Sequence, residues 1–304
     1  MTDIIVIGGG PAGMTAALYA LRNGKSALVL EKAGFGGQIT NSPKVENFPG
    51  TLVMSGNEFA DRFLEQILAQ GADVELETAV RVEADGPVKK VYTEEGSCFE
   101  AKAVILATGV KHRLLGLPGE EELIGDGISF CAVCDGHFYK DKTVVVAGGG
   151  NSALQEAMLL SDSCREVIMV QDLDFFTGEE KLRTAVLARP NVRTYTGCKI
   201  EALRSSGSGL AGVGVRRTAT GETFDIPCDG MFVAIGLIPE NENFADVVPL
   251  NRYGYVDAGE DCLTGRDGVY AAGDCRSKSI RQVTTAVADG AVAALAACRY
   301  IDTL

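Results

Sequence analysis

One ten-residue pattern occurs twice in this 304-residue chain. Ile4 to Gly13 reads IIVIGGGPAG, and Val144 to Ala153 reads VVVAGGGNSA, 140 residues later. Each copy is a short β-branched run, then a glycine turn, then a stretch with helical character, MTAALYALRNG after the first and LQEAMLLS after the second. Three glycines alone are weak evidence, but a strand before and a helix after each copy predict two βαβ nucleotide-binding units. Three further strand-like runs end in small residues: Ala103 to Gly109, Met231 to Gly236 and Val269 to Asp274. In an open α/β sheet, ligands sit at such strand ends, because glycine lets the backbone approach them closely. The last run completes the first unit if the second unit is inserted into it. The expected class is therefore α/β, with two nested Rossmann-like three-layer domains. The outer one comprises 1–112 and 243–304, the inserted one 113–242, both ordinary domain sizes.

Composition narrows the function classes. With 28 basic against 41 acidic residues, the net charge is −13, which argues against sequence-independent binding to nucleic acid or to an anionic membrane. No apolar run approaches the roughly 20 residues of a membrane span, and no cationic segment precedes the first strand, so a cytoplasmic location is expected. Nine cysteines are too dilute for a disulfide-stapled secreted scaffold. Only Cys131 and Cys134 are closely spaced, and two distant histidines, His112 and His137, give a zinc site little to build on, so no metal is expected.

The first glycine loop has G-x-G-x-x-G spacing in Gly8, Gly10 and Gly13, with Pro11 and Ala12 opening the helix. That spacing supplies a tight turn, room for a pyrophosphate, and close helix-on-strand packing, with the helix N-terminus facing the phosphates. Glu31, at the end of the next strand, is placed to accept hydrogen bonds from a ribose. The motif does not by itself separate NAD from FAD. Gly36-Gly37-Gln38, Glu46-Asn47-Phe48-Pro49-Gly50, Ala107-Thr108-Gly109, and Ala272-Gly273-Asp274 followed by Arg281-Gln282 do more. Together they resemble the FAD site of the low-molecular-weight thioredoxin reductase family, and the similarity runs from end to end of the chain. The resemblance implies FAD held by Gly8, Gly10, Pro11, Ala12, Gly13, Glu31, Gly37, Gln38, Asn47, Thr108, Gly109, Gly273, Asp274, Arg281 and Gln282. It also implies a homodimer through the FAD domains.

Cys131-Ala132-Val133-Cys134-Asp135 lies in the inserted domain, shortly before the second glycine loop. A C-x-x-C pair without the second pair that zinc would want reads as a redox disulfide. By resemblance, Cys134 faces the flavin, Cys131 attacks the disulfide of thioredoxin, and Asp135 is the general acid that protonates the departing thiolate. A carboxyl group beside thiolates and a reduced flavin should have a raised pKa, which suits that role. His137-Phe138 resemble positions on which thioredoxin docks.

The second glycine loop, Gly148, Gly150 and Ala153, keeps a G-x-G-x-x-A spacing, but the adenosine end departs from the family. NADPH-dependent members carry a His-Arg-Arg-x-x-x-Arg motif whose guanidinium groups grip the 2′-phosphate. Here the stretch reads Gln171-Asp172-Leu173-Asp174-Phe175-Phe176-Thr177. Each lost charge-assisted hydrogen bond costs about 1.5–3 kcal/mol, and a carboxylate at Asp172 repels the phosphate, so several tenfold steps in affinity are lost. NADPH is thus not the expected donor. The resemblance offers reduced ferredoxin, favoured because a pyridine-nucleotide-independent branch of the family also lacks the arginines, or NADH, with Asp172 on the 2′-hydroxyl, or a deazaflavin. Ferredoxins are acidic, so docking would need a basic surface, for which Lys111-His112-Arg113 and Arg276-Ser277-Lys278 are the candidates. Two rival readings share the features above: a small-molecule dithiol oxidase of the same fold, and a flavin redox sensor without turnover.

Overall fold

The computed structural model describes residues 1–207 and 209–304. The chain divides into two compact units, Met1–Lys111 with Ile238–Leu304, and His112–Leu237. The return to the first unit falls a few residues ahead of the 242/243 border that the sequence suggests. Asn241 explains the difference: it is fully buried, its amide donates to the carbonyls of Gly254 and Cys275 at 2.9 Å, and its oxygen accepts from Thr108 Oγ1 at 2.7 Å.

The first unit is built on a sheet ordered Asp73–Glu75, Ala27–Leu30, Thr2–Ile7, Cys98–Leu106, Lys89–Thr93, Ala79–Glu83, with Val269–Ala271 also pairing Cys98–Leu106. The central strands are parallel, in register Ile4↔Ala27 and Ile4↔Ala103, and Val269↔Val104 brings the late strand onto the same sheet. Ile4 and Val6 face the helices Pro11–Arg22 and Val283–Ile301, whereas Ile5 and Ile7 face a second cluster with Phe244, Val248 and Val256. A strand buried on both faces reads as a continuous apolar run, which is why IIVI lacks alternation.

The second unit repeats the device. Its parallel sheet runs Val192–Tyr195, Glu166–Val170, Thr143–Ala147, Gly230–Val233, Ile128–Ser129. Val144 and Val146 pack with Ala153, Leu154, Ala157 and Leu160 of the helix Asn151–Ser161. Val145 and Ala147 pack with Ile200, Val213, Val215 and Ile226 of an antiparallel three-stranded sheet. Two strands of that sheet, Cys198–Ser206 and Gly209–Arg217, pair antiparallel as far as Ser206↔Gly209, and Ser208 lies outside the described residues. Among the described residues no helix is long and apolar enough to cross a membrane.

Both glycine turns are set by contact. A Cβ at Gly8 would lie 2.2 Å from the Ala107 carbonyl oxygen, and one at Gly148 would lie 2.5 Å from that of Ala234, so each turn nests against the end of the neighbouring strand. Both residues also have positive φ, +113° and +126°. At Gly13 a Cβ would meet the Gly8 carbonyl oxygen at 1.9 Å, whereas Gly34 has open space and ordinary φ. Gly13→Ala should therefore destabilise the fold by about 1–3 kcal/mol or more, the range for overpacking, while Gly34→Ala leaves the calorimetric Tm unchanged. Equal Tm values for the two variants would contradict this packing.

Candidate functional site

In the first unit, the residues expected around the glycine loop converge. Gly9 donates its N–H to Glu31 Oε2 at 2.7 Å, and Ala33 N donates to Glu31 Oε1 at 2.9 Å, so the carboxylate braces the loop with lone pairs left for a ribose. Gly10 is the extended N-cap of the first helix, and a Cβ there would meet nothing nearer than Gly36 O at 4.0 Å, which leaves a cradle over the helix N-terminus. Gly37 and Gln38 begin the short turn beside it, and Gly37 sits 3.4 Å from Gly10 Cα by the same measure. Thr108 and Gly109 continue the central strand. Asn47 Nδ2 donates to Gln282 Oε1 at 3.3 Å, joining two motifs far apart in sequence.

The late Gly273-Asp274 reaches this loop through close packing. Gly273 has φ +80°, and a Cβ on it would be 2.8 Å from the Ala12 Cβ. Asp274 Oδ1 and Arg281 Nε are buried with no hydrogen-bond partner in the protein. Burial pushes the Asp274 carboxyl up, and the cations Lys278, Arg281 and Arg276 only partly offset it. An orphaned acceptor and an orphaned donor at the edge of an open cradle suit the hydroxyls and ring of a flavin nucleotide. The residues present therefore fit FAD.

A network that the sequence did not disclose holds this turn. Asp289, on the last helix, accepts from Gly273 N at 3.0 Å, from Arg276 Nε and Nη2 at 2.9 and 2.8 Å, and from Lys278 Nζ at 2.9 Å. Arg276 is 1% exposed. The stretch Arg276-Ser277-Lys278 is consequently not a basic docking surface: both cations point inward and are neutralised. Of the other candidate stretch, Lys111 pairs with Glu240 at 2.9 Å, and burial lowers His112 to about 4, leaving it neutral and stacked on Phe130. No spacing rule links residue 276 to residue 289, since only the docking of the last helix brings them together.

In the second unit the loop geometry is kept and its environment differs. Gly150 is again an extended N-cap with open space, a Cβ there meeting Thr177 Oγ1 at 3.7 Å. The counterpart of Glu31 is Gln171, because Gly8 N binds Leu30 O just as Gly148 N binds Val170 O. Asp172 lies one residue beyond that position and is exposed. Gln171 is buried against Gly149, and the amides of Thr177 and Gly178 both donate to the Gly149 carbonyl, at 2.8 and 3.0 Å.

Cys131 and Cys134 form a disulfide at the start of a helical turn, Ala132–Asp135. Cys131 N donates to Ser129 Oγ at 3.1 Å, and that hydroxyl donates to Asp135 Oδ2 at 2.6 Å. Asp135 Oδ1 is buried without a partner, and burial pushes its carboxyl up against the smaller opposing effects of Ser129 and His137. Ala132 N donates to Glu156 Oε2. Glu156 was legible as the one carboxyl on the inward register of a helix whose face is Ala153, Leu154, Ala157 and Leu160. The adjacent His137 and Phe138 rings lie 3.8 Å apart, centroid to centroid.

Two dinucleotide-type units in one chain, one carrying a C-x-x-C disulfide next to a buried carboxyl, define a pyridine-nucleotide-type disulfide oxidoreductase. Comparison with known proteins gives the family. Residues 2–290 match the pyridine nucleotide-disulphide oxidoreductase family, and the chain belongs to it. It is 38% identical to a thioredoxin reductase of Treponema pallidum over 303 residues, covering 99% of this chain and 98% of that one. It is also 36% identical to a thioredoxin reductase of Bacillus subtilis over 302 residues, covering 99% and 95%. The solved thioredoxin reductase of Streptococcus pyogenes superposes with a TM-score of 0.95 at 35% identity, over 100% of this chain and 99% of that one.

The Asp289 network has a measurable consequence. Burial pushes the Asp289 carboxyl up, but hydrogen bonds from Arg276 and Lys278 outweigh burial and hold it below the usual range. Its stabilisation is present above the ordinary carboxyl value of about 3.9 and is lost as pH falls through the lower folded value. Asp289→Asn strands two buried cations and should cost about 3–5 kcal/mol near neutrality. Thermal melts should show that loss at pH 7 and a shrinking difference from wild type as pH drops below about 4; a pH-independent difference would contradict the assignment.

Proposed function

We propose that this chain is a flavin-dependent thioredoxin-disulfide reductase whose redox-active group is the Cys131–Cys134 disulfide. The observation that carries the reading is that disulfide, closed on a helical turn, with the hydroxyl of Ser129 linking Cys131 N to Asp135. The residues of the first glycine loop together with Gly37, Gln38, Asn47, Thr108, Gly109, Gly273, Asp274, Arg281 and Gln282 would hold FAD, which would supply the electron pair that opens the disulfide. Cys131 then attacks a disulfide of thioredoxin, and Cys134 resolves the mixed disulfide, so that the S–S bond of the pair reforms and thioredoxin leaves as a dithiol. Asp135, whose carboxyl burial pushes above the ordinary carboxylate range, gives its proton to the departing thiolate. The same proposal places the enzyme in the cytoplasm as a homodimer.

NADPH is not the donor in this reading. Asp172 is an exposed carboxylate where an arginine would have to meet the 2′-phosphate. Reduced ferredoxin remains the favoured donor, because Gln171 fills the position of the ribose-binding carboxylate and presses against Gly149. Its docking would rely on cations other than Arg276 and Lys278. NADH is the second reading, favoured by the open N-cap at Gly150.

Insulin-disulfide reduction in the presence of thioredoxin tests the activity. Cys131→Ser and Cys134→Ser should each abolish it, and Asp135→Asn should slow it by about a hundredfold or more, the low end for a lost general acid. Oxygen consumption with a dithiol in place of thioredoxin turnover would mark the oxidase, and neither reaction the sensor. Anaerobic titration with NADPH, NADH and reduced ferredoxin, followed by flavin bleaching, identifies the donor; stoichiometric bleaching by NADPH would overturn the reading of Asp172.

A further inference from the structure

Both leading amides of the disulfide turn end on a carboxyl. Cys131 N reaches Asp135 through Ser129 Oγ, and Ala132 N, the next amide, donates directly to Glu156 Oε2. The function proposed above uses Asp135 and leaves Glu156 without a part. Glu156 comes from the helix Asn151–Ser161, which packs against the disulfide turn. It forms no ion pair among the described residues, whereas Asp162, just past the end of the same helix, pairs with Arg189. A partly buried carboxyl with one backbone donor and no cation is an expensive place for a full charge.

We propose that Glu156 is a positioning residue that couples proton uptake to reduction of the Cys131–Cys134 disulfide. The proposal rests on that disulfide being the redox-active group. While the pair is oxidised, the Glu156 carboxylate holds the Ala132 amide and with it the start of the turn. Two electrons break the S–S bond and leave two negative charges on sulfur. One proton converts Cys134 to a thiol, and Cys131 stays a thiolate, stabilised by the Cys134 N–H that already points at its sulfur at 3.2 Å. The second proton goes to Glu156, whose charge would otherwise stand next to the new thiolate. When the disulfide reforms on a substrate, Glu156 releases that proton, so two electrons travel with two protons in each direction.

The charged neighbours agree. Burial, against the Ala132 hydrogen bond and with a smaller push from nearby Asp135, raises the Glu156 carboxyl to about 7. His137, which follows the turn, acts on Asp135. On the other flank of the Glu156 helix, the helix Glu180–Leu187 carries Glu180, Lys181 and Arg183, of which Arg183 pairs with Glu180. Beneath it, the strands Thr143–Ala147 and Glu166–Val170 contribute only Glu166, paired with Arg193. Asp135 is the ionisable neighbour that acts on Glu156.

The test is the pH dependence of the disulfide's equilibrium with dithiothreitol in the FAD-loaded protein. The protein is equilibrated anaerobically with defined ratios of reduced to oxidised dithiothreitol between pH 6 and 8.5, quenched with acid and alkylated, and the reduced fraction of the Cys131 and Cys134 peptides is read by mass spectrometry. Dithiothreitol gives up two protons with its two electrons, so uptake of one proton by the protein makes the equilibrium constant rise tenfold per pH unit, and uptake of two makes it level. Wild type should rise up to about pH 7, below which Glu156 is already protonated in the oxidised protein, and level above it. Glu156→Gln, whose amide oxygen still accepts the Ala132 N–H, should keep rising, so that the two proteins agree at pH 6 and separate by about tenfold per unit above pH 7. Curves that superimpose, or differ by a constant ratio at every pH, would overturn the proposal. A wild-type curve that rises throughout would do so without any variant. Failure of dithiothreitol to open the pair would instead overturn the redox role of the disulfide.

Discussion

Each half of this protein depends on a strand end that runs into another strand's carbonyl. Gly8 and Gly148 turn where a Cβ would lie 2.2 and 2.5 Å from the oxygens of Ala107 and Ala234, so the loop, the following helix and the neighbouring strand are fixed against one another. That contact aims the helix N-terminus and its free amides at open space, the arrangement that binds phosphate. The rest is arranged around it. Glu31 braces the first loop, Gly273 touches Ala12 from the late strand, and Asn241 ties the returning chain to Thr108. In the second half the same turn is braced by a neutral residue, Gln171, and its middle carbonyl is capped by Thr177 and Gly178. One architecture thus carries two loops of different chemical character.

Electrostatics separates the two units further. In the first, charge is buried and compensated: Asp289 gathers Arg276, Lys278 and the Gly273 amide, which holds the turn before Asp274 rigid while leaving an Asp274 oxygen unbonded. In the second, burial keeps the two carboxyls at the disulfide above their ordinary range, with Ser129 and His137 opposing it at Asp135 and the Ala132 amide opposing it at Glu156. A rigid, neutralised frame suits a resident cofactor. Carboxyls raised by burial, Glu156 to about 7, suit a dithiol that must exchange protons along with electrons.

Much of this was legible in the residues. The repeat of IIVIGGGPAG as VVVAGGGNSA is a local signal, since a buried parallel strand and a glycine turn are written in consecutive positions. Cys131 and Cys134 are likewise neighbours in sequence, and their pairing needs only one helical turn. The inward register of Glu156 among Ala153, Leu154, Ala157 and Leu160 was present but is easily passed over, because an acidic residue on a short helix is usually solvated. The basic stretch at 276–278 was misleading for the opposite reason. Composition registers charge but not the direction of a side chain, and Arg276 turns inward to a partner on a helix that packs from the far end of the chain.

The sequence by itself determined the two glycine-loop units, the late strand that completes the first, the redox pair and the missing arginines, all of which lie in short contiguous patterns governed by local backbone sterics and residue chemistry. The tertiary structure alone decided which carboxyls and cations meet: Asp289 with Arg276 and Lys278, Glu156 with Ala132, and Gln171 rather than Asp172 at the strand end. Those meetings join residues on separate strands, turns and helices, and they follow from helix docking and strand register, which depend on how the whole core packs.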